Sequence, residues 1–471
     1  MLPSGAGGGN APSPRPYRAG SGPQWKQTVM KKVYVETYGC QMNIADTELL
    51  LGILAPHGFS PAATPAEADV IMINTCAIRE HAEDRVLGRL GDLGRYKARK
   101  PGTRLGLVGC MAQHHRRGIL EKAPFLDFVV GPDAYRQLPR LVASDADDPL
   151  VEVRLDRGET YADVTPAHGE GVRAWVTAMR GCDRFCTFCV VPLVRGRERS
   201  VPARVLLSQV RALAEEGYRE VVYLGQTVNA YRNADVDFAE LLLRTSRIEG
   251  VERVRFTSPH PADMSDRLIG LMATCEKVCP YVHLPLQSAS NRILDRMARG
   301  YTVEQYGALV ERMRRAIPDL ALSTDVVVGF PGEDEEDFRA TYRFMAEIGY
   351  DHAFMFRYSA REGTRAYAWP QTVSEEEKGR RLREIVELQE RTSASINRAL
   401  VGGSVQVLVE GAARRQKGWL AGKTRQFKTA VFPGEGIAPG ELVTVRVASA
   451  TAHTLIGEAT PRRGLERAVR R

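Results

Sequence analysis

Residues 179–189, MRGCDRFCTFC, place three cysteines inside eight positions: Cys182, Cys186 and Cys189. Cys-x-x-x-Cys-x-x-Cys on one loop lets three thiolates wrap one face of an iron–sulfur cube, because such clusters are held by thiolates. Zinc is the alternative. A structural zinc takes four ligands, and no fourth Cys or His stands close by in the sequence. A cube gripped by three cysteines leaves one iron open to an incoming ligand.

The surroundings of this loop decide the fold. AWVTAM (174–179), EVVYLG (220–225), RVRFTS (253–258), YVHLPL (281–286), ALSTDVVVG (321–329) and HAFMFRYS (352–359) read as strands with helical segments between them. Six such units predict a partial (β/α)6 barrel over residues 168–400, whose loops at the strand C-terminal ends carry the chemistry. A charged helix over about 374–400 closes it.

Upstream, KVYVETYGC, DVIMINTC, RLGLVGC and DFVVG alternate with helical stretches, which predicts a doubly wound α/β domain over 31–146. Cys40, Cys76 and Cys110 each stand just after one of its strands. The strands of a parallel sheet end on one edge about 4.8 Å apart, so three such loops can surround one inorganic centre. A lone cysteine there packs as a small apolar residue; three at the same point of successive units read as ligands. Cys275 and Cys279 lie four apart near a helix end and read as packing. The acidic, Pro- and Gly-containing stretch 144–171 reads as a linker.

Downstream, SVQVLVEG, RQFKTAVF, ELVTVRVASA and HTLIGEA alternate with period two and predict a small all-β barrel over 401–464. Arg414, Arg415, Lys417, Lys423, Arg425 and Lys428, interleaved with Trp419 and Phe427, suit RNA backbone contact and base stacking. The net charge of +8 is modest for 471 residues, but it is concentrated here and in the final PRRGLERAVRR. Residues 1–30 are rich in Gly, Pro and Ser and are expected to be a disordered tail; Met30 is an alternative start. No apolar run reaches 18 residues and no signal-like core is present, so no membrane span is expected and the setting is read as cytoplasmic. Clustered cysteines in a reducing compartment point to metal or redox chemistry.

YGCQMNIADTE, NTCAIREHAEDR, VGCMAQ, RGCDRFCTFCVVPLVRGRERS, YLGQTVNAY, HLPLQSAS, DVVVGFPGEDEEDF and YSAREGTRA together resemble the block motifs of radical S-adenosylmethionine methylthiotransferases. The resemblance runs from residue 32 to about 370, and the tail is similar to that family's TRAM domain. The chain departs from the family pattern at three sites: Thr227 stands for Asn, Ala289 for Gly, and the pair Leu193-Val194 for Tyr-Thr. The resemblance implies two 4Fe-4S clusters. One, on Cys182, Cys186 and Cys189, binds S-adenosylmethionine; the other, on Cys40, Cys76 and Cys110, supplies sulfur. Gln226, Asn229, Asp325, Gly332 and Glu333 are expected at the cofactor. Arg195, Arg197 and Arg199 are either a solvated run or contacts to phosphate or the cofactor carboxylate.

GCQMN and NTCAIRE look most like the branch that adds a methylthio group to C2 of isopentenylated adenosine beside the anticodon of tRNA. Sister branches act on threonylcarbamoyl-adenosine of tRNA or on an aspartate of a ribosomal protein. A non-catalytic, zinc-containing RNA-binding protein is the alternative from another class. No side-chain base activates an aromatic C–H, so a cofactor must carry such chemistry while the protein positions it. The implied partners are a tRNA anticodon stem-loop and a reducing electron donor, and the chain is expected to act as a monomer.

Overall fold

The computed structural model describes residues 30–77 and 80–460. The expected N-terminal tail, Ile78 and Arg79 of the second cysteine motif, and the closing PRRGLERAVRR lie outside the described residues.

The first domain is a six-stranded parallel sheet. Its strands are β1 (Lys31–Tyr38), β2 (Phe59–Pro61), β3 (Val70–Thr75), β4 (Arg104–Gly109), β5 (Phe128–Val130) and β6 (Leu150–Glu152), in the order β2-β1-β3-β4-β5-β6. All six residues of β3 are buried, as expected of a central strand covered on both faces. Helices α1 (Gln41–Leu54), α2 (Glu80–Arg99) and α3 (Cys110–His115) follow β1, β3 and β4. The chain steps from β1 outward to β2 and then back across to β3, so β1 and β3 flank the switch point where such sheets open a crevice. Residues 144–171 are more than a linker. They supply β6, and they are pinned down by Arg136, which pairs with Glu159 and Asp163, and by buried Tyr161. Leu150–Glu152 is too short for a periodic signal to show.

The second domain carries β7 (Arg173–Thr177), a short helix α4 (Val191–Arg195), then β8 (Glu220–Leu224), β9 (Arg253–Phe256), β10 (Tyr281–His283), β11 (Ala321–Val328) and β12 (His352–Arg357). Parallel pairings join β7-β8-β9 and β10-β11-β12, and a bridge between Val254 and Val278 connects the two triplets. This is the expected open barrel. Val221, Tyr223, Val282 and Leu322 face the helical shell and belong to the largest apolar core. The alternate positions line the concave side: Glu220, Val222, Trp175, Arg255, His283, Ser323, Asp325 and Phe354. Met42 and Ala45 of α1 pack on Trp175, Val222 and Leu224, so the first domain leans over that concave side. Helices α5 (Glu335–Ile348) and α6 (Glu375–Arg398) pack against each other at the end of this domain.

The third domain is a closed barrel of five strands, β13 (Ser404–Ala412), β14 (Trp419–Thr424), β15 (Thr429–Pro433), β16 (Leu442–Ala450) and β17 (Thr454–Ala459), ordered β13-β14-β15-β17-β16. The sequence reading missed β14. Its WLAGKT carries a glycine because a Cβ at Gly422 would stand 2.2 Å from the Leu408 carbonyl oxygen, and this close packing erases the apolar alternation. Among the described residues no helix is long and apolar enough to cross a membrane.

Candidate functional site

Gly39 has φ +130°, and a Cβ there would lie 2.7 Å from Cys76 Cβ. Only glycine lets β1 end this close to β3. Gly109, at φ +94°, plays the same part before Cys110, where a Cβ would stand 2.5 Å from Asn74 Oδ1. Cys40, Cys76 and Cys110 thus gather on the sheet edge at the switch point. The Cys76 amide donates to the Tyr38 carbonyl at 3.2 Å, and the Cys40 amide donates to Asn43 Oδ1 at 3.3 Å. Cys40 is exposed, Cys76 half-buried and Cys110 buried. A hydrogen bond from Cys76 outweighs desolvation in the crevice and, with the charge of Arg195, holds the Cys40 thiol down at about 6. Burial pushes the Cys110 thiol up, against the pull of Arg195.

Arg195 belongs to the other domain. It ends α4, six residues after Cys189, and its Nε donates to Cys110 Sγ at 3.2 Å. Its Nη2 donates to Asp46 of α1 at 2.7 Å; Arg180 donates to the other Asp46 oxygen at 2.9 Å, and the Tyr135 hydroxyl adds a third bond. Burial drives the Asp46 carboxyl upward, but the two guanidiniums win and hold it below the usual carboxylate range.

The second trio sits on the loop after β7. Gly181 has φ +78°, with no room for a Cβ beside the Arg197 carbonyl oxygen. The Cys182 amide donates to the Gly196 carbonyl, and Cys189 to that of Cys186. Thr187 ties the loop to Arg296 and Met297. Cys182 Sγ meets the Arg184 amide at 3.4 Å and Thr227 Oγ1 at 3.2 Å, and Cys186 Sγ accepts from Arg299 Nη1 at 3.3 Å. Thr227, one of the three departures, therefore touches a cysteine sulfur. Val194, another, packs with Cys110. Burial raises the Cys182 thiol and lifts Cys189 to about 12; binding a metal releases such protons.

The donor set fits an iron–sulfur cube at both trios: three thiols each, N–H groups aimed at sulfur, and a buried guanidinium to offset negative charge. Among the described residues no three His, Cys, Asp or Glu side chains form a group that could hold a single metal ion. Cys275 packs against the central core and Cys279 is buried.

Of the expected cofactor residues, Gln226 follows β8 with a buried Oε1 that has no protein partner. Asp325 faces the concave side, 3.2 Å from His283 Nε2. The Gly332 amide donates to Thr372. Asn229 is committed elsewhere: its amide group spans the His260 backbone with two hydrogen bonds. Glu333 is a structural brace. Its carboxylate accepts from the Gly329 amide and from Arg381 of α6, and its pKa is raised by burial. The arginine run is not a solvated one. Arg195 and Arg199 are buried, and only Arg197 is exposed, paired with Asp183.

The basic residues of the third domain divide in two. Arg414, Arg415 and Lys417 are exposed on the turn between β13 and β14. Lys423, Arg425 and Lys428 instead dock the barrel onto the second domain. Lys428 pairs with Asp351 at 2.5 Å, Arg425 donates to the Glu276 carbonyl, and the Lys423 backbone carbonyl accepts from Arg253, while the Lys423 ammonium donates to Thr429 inside the barrel, with its pKa lowered by burial to about 8. Phe427 is no stacking platform either. It packs on Tyr281 and is surrounded by Arg173, Arg255 and Lys423, each about 5 Å from its ring centre. Sequence reading missed Asp46, Arg180 and Arg299, whose partners lie far along the chain.

Comparison with known proteins follows this division. Residues 32–131 match the uncharacterized protein family UPF0004, 176–345 the radical SAM superfamily and 398–460 the TRAM domain. The tRNA-2-methylthio-N(6)-dimethylallyladenosine synthase of Carboxydothermus hydrogenoformans is 43 % identical over 88 % of this chain and 96 % of its own length. Proteins of the same name from Prosthecochloris aestuarii (42 %, over 91 % of this chain and 98 % of their own) and Bacteroides fragilis (43 %, over 91 % and 95 %) are similar to it as well. Among solved structures, the radical S-adenosylmethionine methyltransferase TsrM of Kitasatospora setae, with cobalamin and a 4Fe-4S cluster bound, matches with a TM-score of 0.54. That match covers 72 % of this chain and 74 % of that one at 13 % identity, a likeness of fold.

Proposed function

This chain belongs to the tRNA-2-methylthio-N(6)-dimethylallyladenosine synthase family, and from that premise we propose that it inserts a methylthio group at C2 of isopentenylated adenosine in tRNA, with one 4Fe-4S cluster at each cysteine trio. Cys182, Cys186 and Cys189 would hold the cluster that binds S-adenosylmethionine, and Cys40, Cys76 and Cys110 the cluster that gives up sulfur. Bound there, the two clusters and S-adenosylmethionine supply the one-electron chemistry and the sulfur and methyl groups that substitution at an aromatic carbon requires.

One observation carries this reading. The two trios belong to different domains, yet α4 joins them, with Cys189 just before its first turn and Arg195 at its end on Cys110. The protein's own residues do the rest. Met42, Ala45, Trp175, Val222 and Leu224 close apolar contacts over part of the concave side and keep water from it. Gln226, with its unpaired oxygen, and the Asp325–His283 pair offer polar contacts to a cofactor or base.

The substrate is larger than a nucleoside. The third domain grips residues at the strand-start end of the barrel, Arg173, Arg253, Tyr281 and Asp351, whereas Cys182, Cys186 and Cys189 follow the end of β7, at the opposite end. Five-residue strands span about 15 Å. An RNA that touches both the exposed Arg414–Lys417 turn and the trios must cover that height, which favours an anticodon stem-loop. A reducing electron donor and a cytoplasmic monomer complete the reading.

The test is anaerobic reconstitution of the full chain and of two triple variants, one per trio, each cysteine changed to alanine. The expected result is iron and sulfide for two clusters in the parent and one in each variant, with a methylthio mass gain on isopentenylated tRNA by the parent alone. The Cys40/Cys76/Cys110 variant retains cleavage of S-adenosylmethionine, and the other variant loses it. Colourless protein with stoichiometric zinc, or product only on threonylcarbamoyl-adenosine or on protein, rejects the proposal.

A further inference from the structure

Each trio has one buried arginine whose N–H group meets a cysteine sulfur: Arg195 on Cys110 and Arg299 on Cys186. Arg195 is 3 % exposed and Arg299 7 %. Removing a guanidinium from water is unfavourable unless charge and hydrogen bonds offset it. A neutral thiol is a weak acceptor and offsets little. Arg195 even leaves Nη1 buried with no protein partner, as Arg180 leaves Nε and Nη1. Such a surplus of buried positive charge fits a negatively charged centre at the sulfurs.

The two arginines differ in their counter-charge. Arg299 is held by the Pro285 carbonyl and the Tyr301 hydroxyl, both neutral. Arg195 shares the Asp46 carboxylate with Arg180. Cluster potentials depend on hydrogen bonds to the sulfurs and on nearby net charge. A reduced cluster carries one more negative charge, so an N–H group and a positive charge on a ligand sulfur favour the reduced state.

We propose that Arg195, reaching across the domain boundary, is a positioning residue that raises the reduction potential of the cluster on Cys40, Cys76 and Cys110, and that Asp46 sets how much of its charge the cluster feels. Arg299 is its counterpart at the second trio. The inference rests on the reading that the first trio holds a cluster, and the test separates the two.

The experiment uses the full chain with Cys182, Cys186 and Cys189 changed to alanine, so that one cluster reports. The chain is reconstituted anaerobically and titrated with reductant under electron paramagnetic resonance. Arg195→Met shifts the midpoint to more negative potential, and Arg195→Lys falls between it and the parent. Asp46→Asn, isosteric and leaving Arg195 in place, shifts it to more positive potential. Arg299→Met leaves it unmoved. A purely structural role for Arg195 and Asp46 cannot give opposite signs. Unchanged midpoints, shifts of the same sign, or an equal shift from Arg299→Met overturn the inference. Should Arg195→Met load no iron, Asp46→Asn decides alone: a positive shift supports the inference, and any other result overturns it. A parent that binds no iron at the first trio overturns the reading beneath.

Discussion

Glu220 opens β8 with both carboxylate oxygens engaged, one by Arg173 and the other by Arg255. It is fully buried. Burial alone would raise its pKa, but the charges and hydrogen bonds of Arg255 and Arg173 overcome that and bring it down to about 2. The folded value lies below the unfolded one. This group's contribution to stability is therefore complete above the ordinary glutamate range and is lost as pH falls through about 2. Acid titration of the urea midpoint should show that loss between about pH 4.5 and 2 in the parent and not in Glu220→Gln. Glu220→Ala leaves two buried guanidiniums without their carboxylate and should cost about 3–5 kcal/mol at neutral pH. A loss below about 1 kcal/mol would mean that water enters the barrel floor and screens the arginines.

The turn between β13 and β14 and the turn between β14 and β15 are both basic, but they do different work. The first is exposed and available to a phosphate backbone. The second is folded against the strand starts of the open barrel. Replacing Arg414, Arg415 and Lys417 by neutral residues should flatten the slope of log affinity against log salt for tRNA by about 0.7–0.9 for each phosphate no longer neutralised. Replacing Lys423 and Lys428 should instead lower thermal stability and leave the slope as it was. Binding isotherms over a salt series distinguish the two, and equal flattening by both sets would put both turns on the RNA. The contrast also marks where sequence was legible. Long strands with period two or a continuous apolar run, such as Ala321–Val328 or Val70–Thr75, were readable because many residues repeat one signal. Phe59–Pro61 and Leu150–Glu152 were not, because three residues carry no period. Cys40, Cys76 and Cys110 could be read from their common place after strands, and Cys182, Cys186 and Cys189 from their spacing on one loop. The pairing of Asp46 with Arg195 could not: they meet across 149 residues, and nothing local to either names the other. Lys423 and Lys428 looked like RNA ligands because composition does not reveal which side of a barrel docks.

Across the whole molecule, the first and second domains are pinned by buried charge as well as by apolar contact. Asp133, just after β5, takes a two-pronged bond from Arg199 at 2.8 and 3.0 Å, with both side chains 5 % exposed or less. Asp46 instead takes one bond from each of two arginines, Arg180 on one oxygen and Arg195 on the other. Apolar surfaces tolerate sliding, whereas a fork-shaped pair has one geometry, so these pairs suit a role in fixing how the trios face each other. Breaking one has two consequences. Asp133→Ala strands the Arg199 guanidinium and should cost about 3–5 kcal/mol. It should also weaken the link through which the domains melt together, so that one calorimetric transition in the parent becomes two in the variant. The measurement is scanning calorimetry on the cluster-free chain, where no metal bridges the comparison. If the variant keeps a single transition, only shifted down, then the packing of Met42 and Ala45 on Trp175, Val222 and Leu224 suffices to couple the domains, and the charge pairs fix orientation without adding cooperativity.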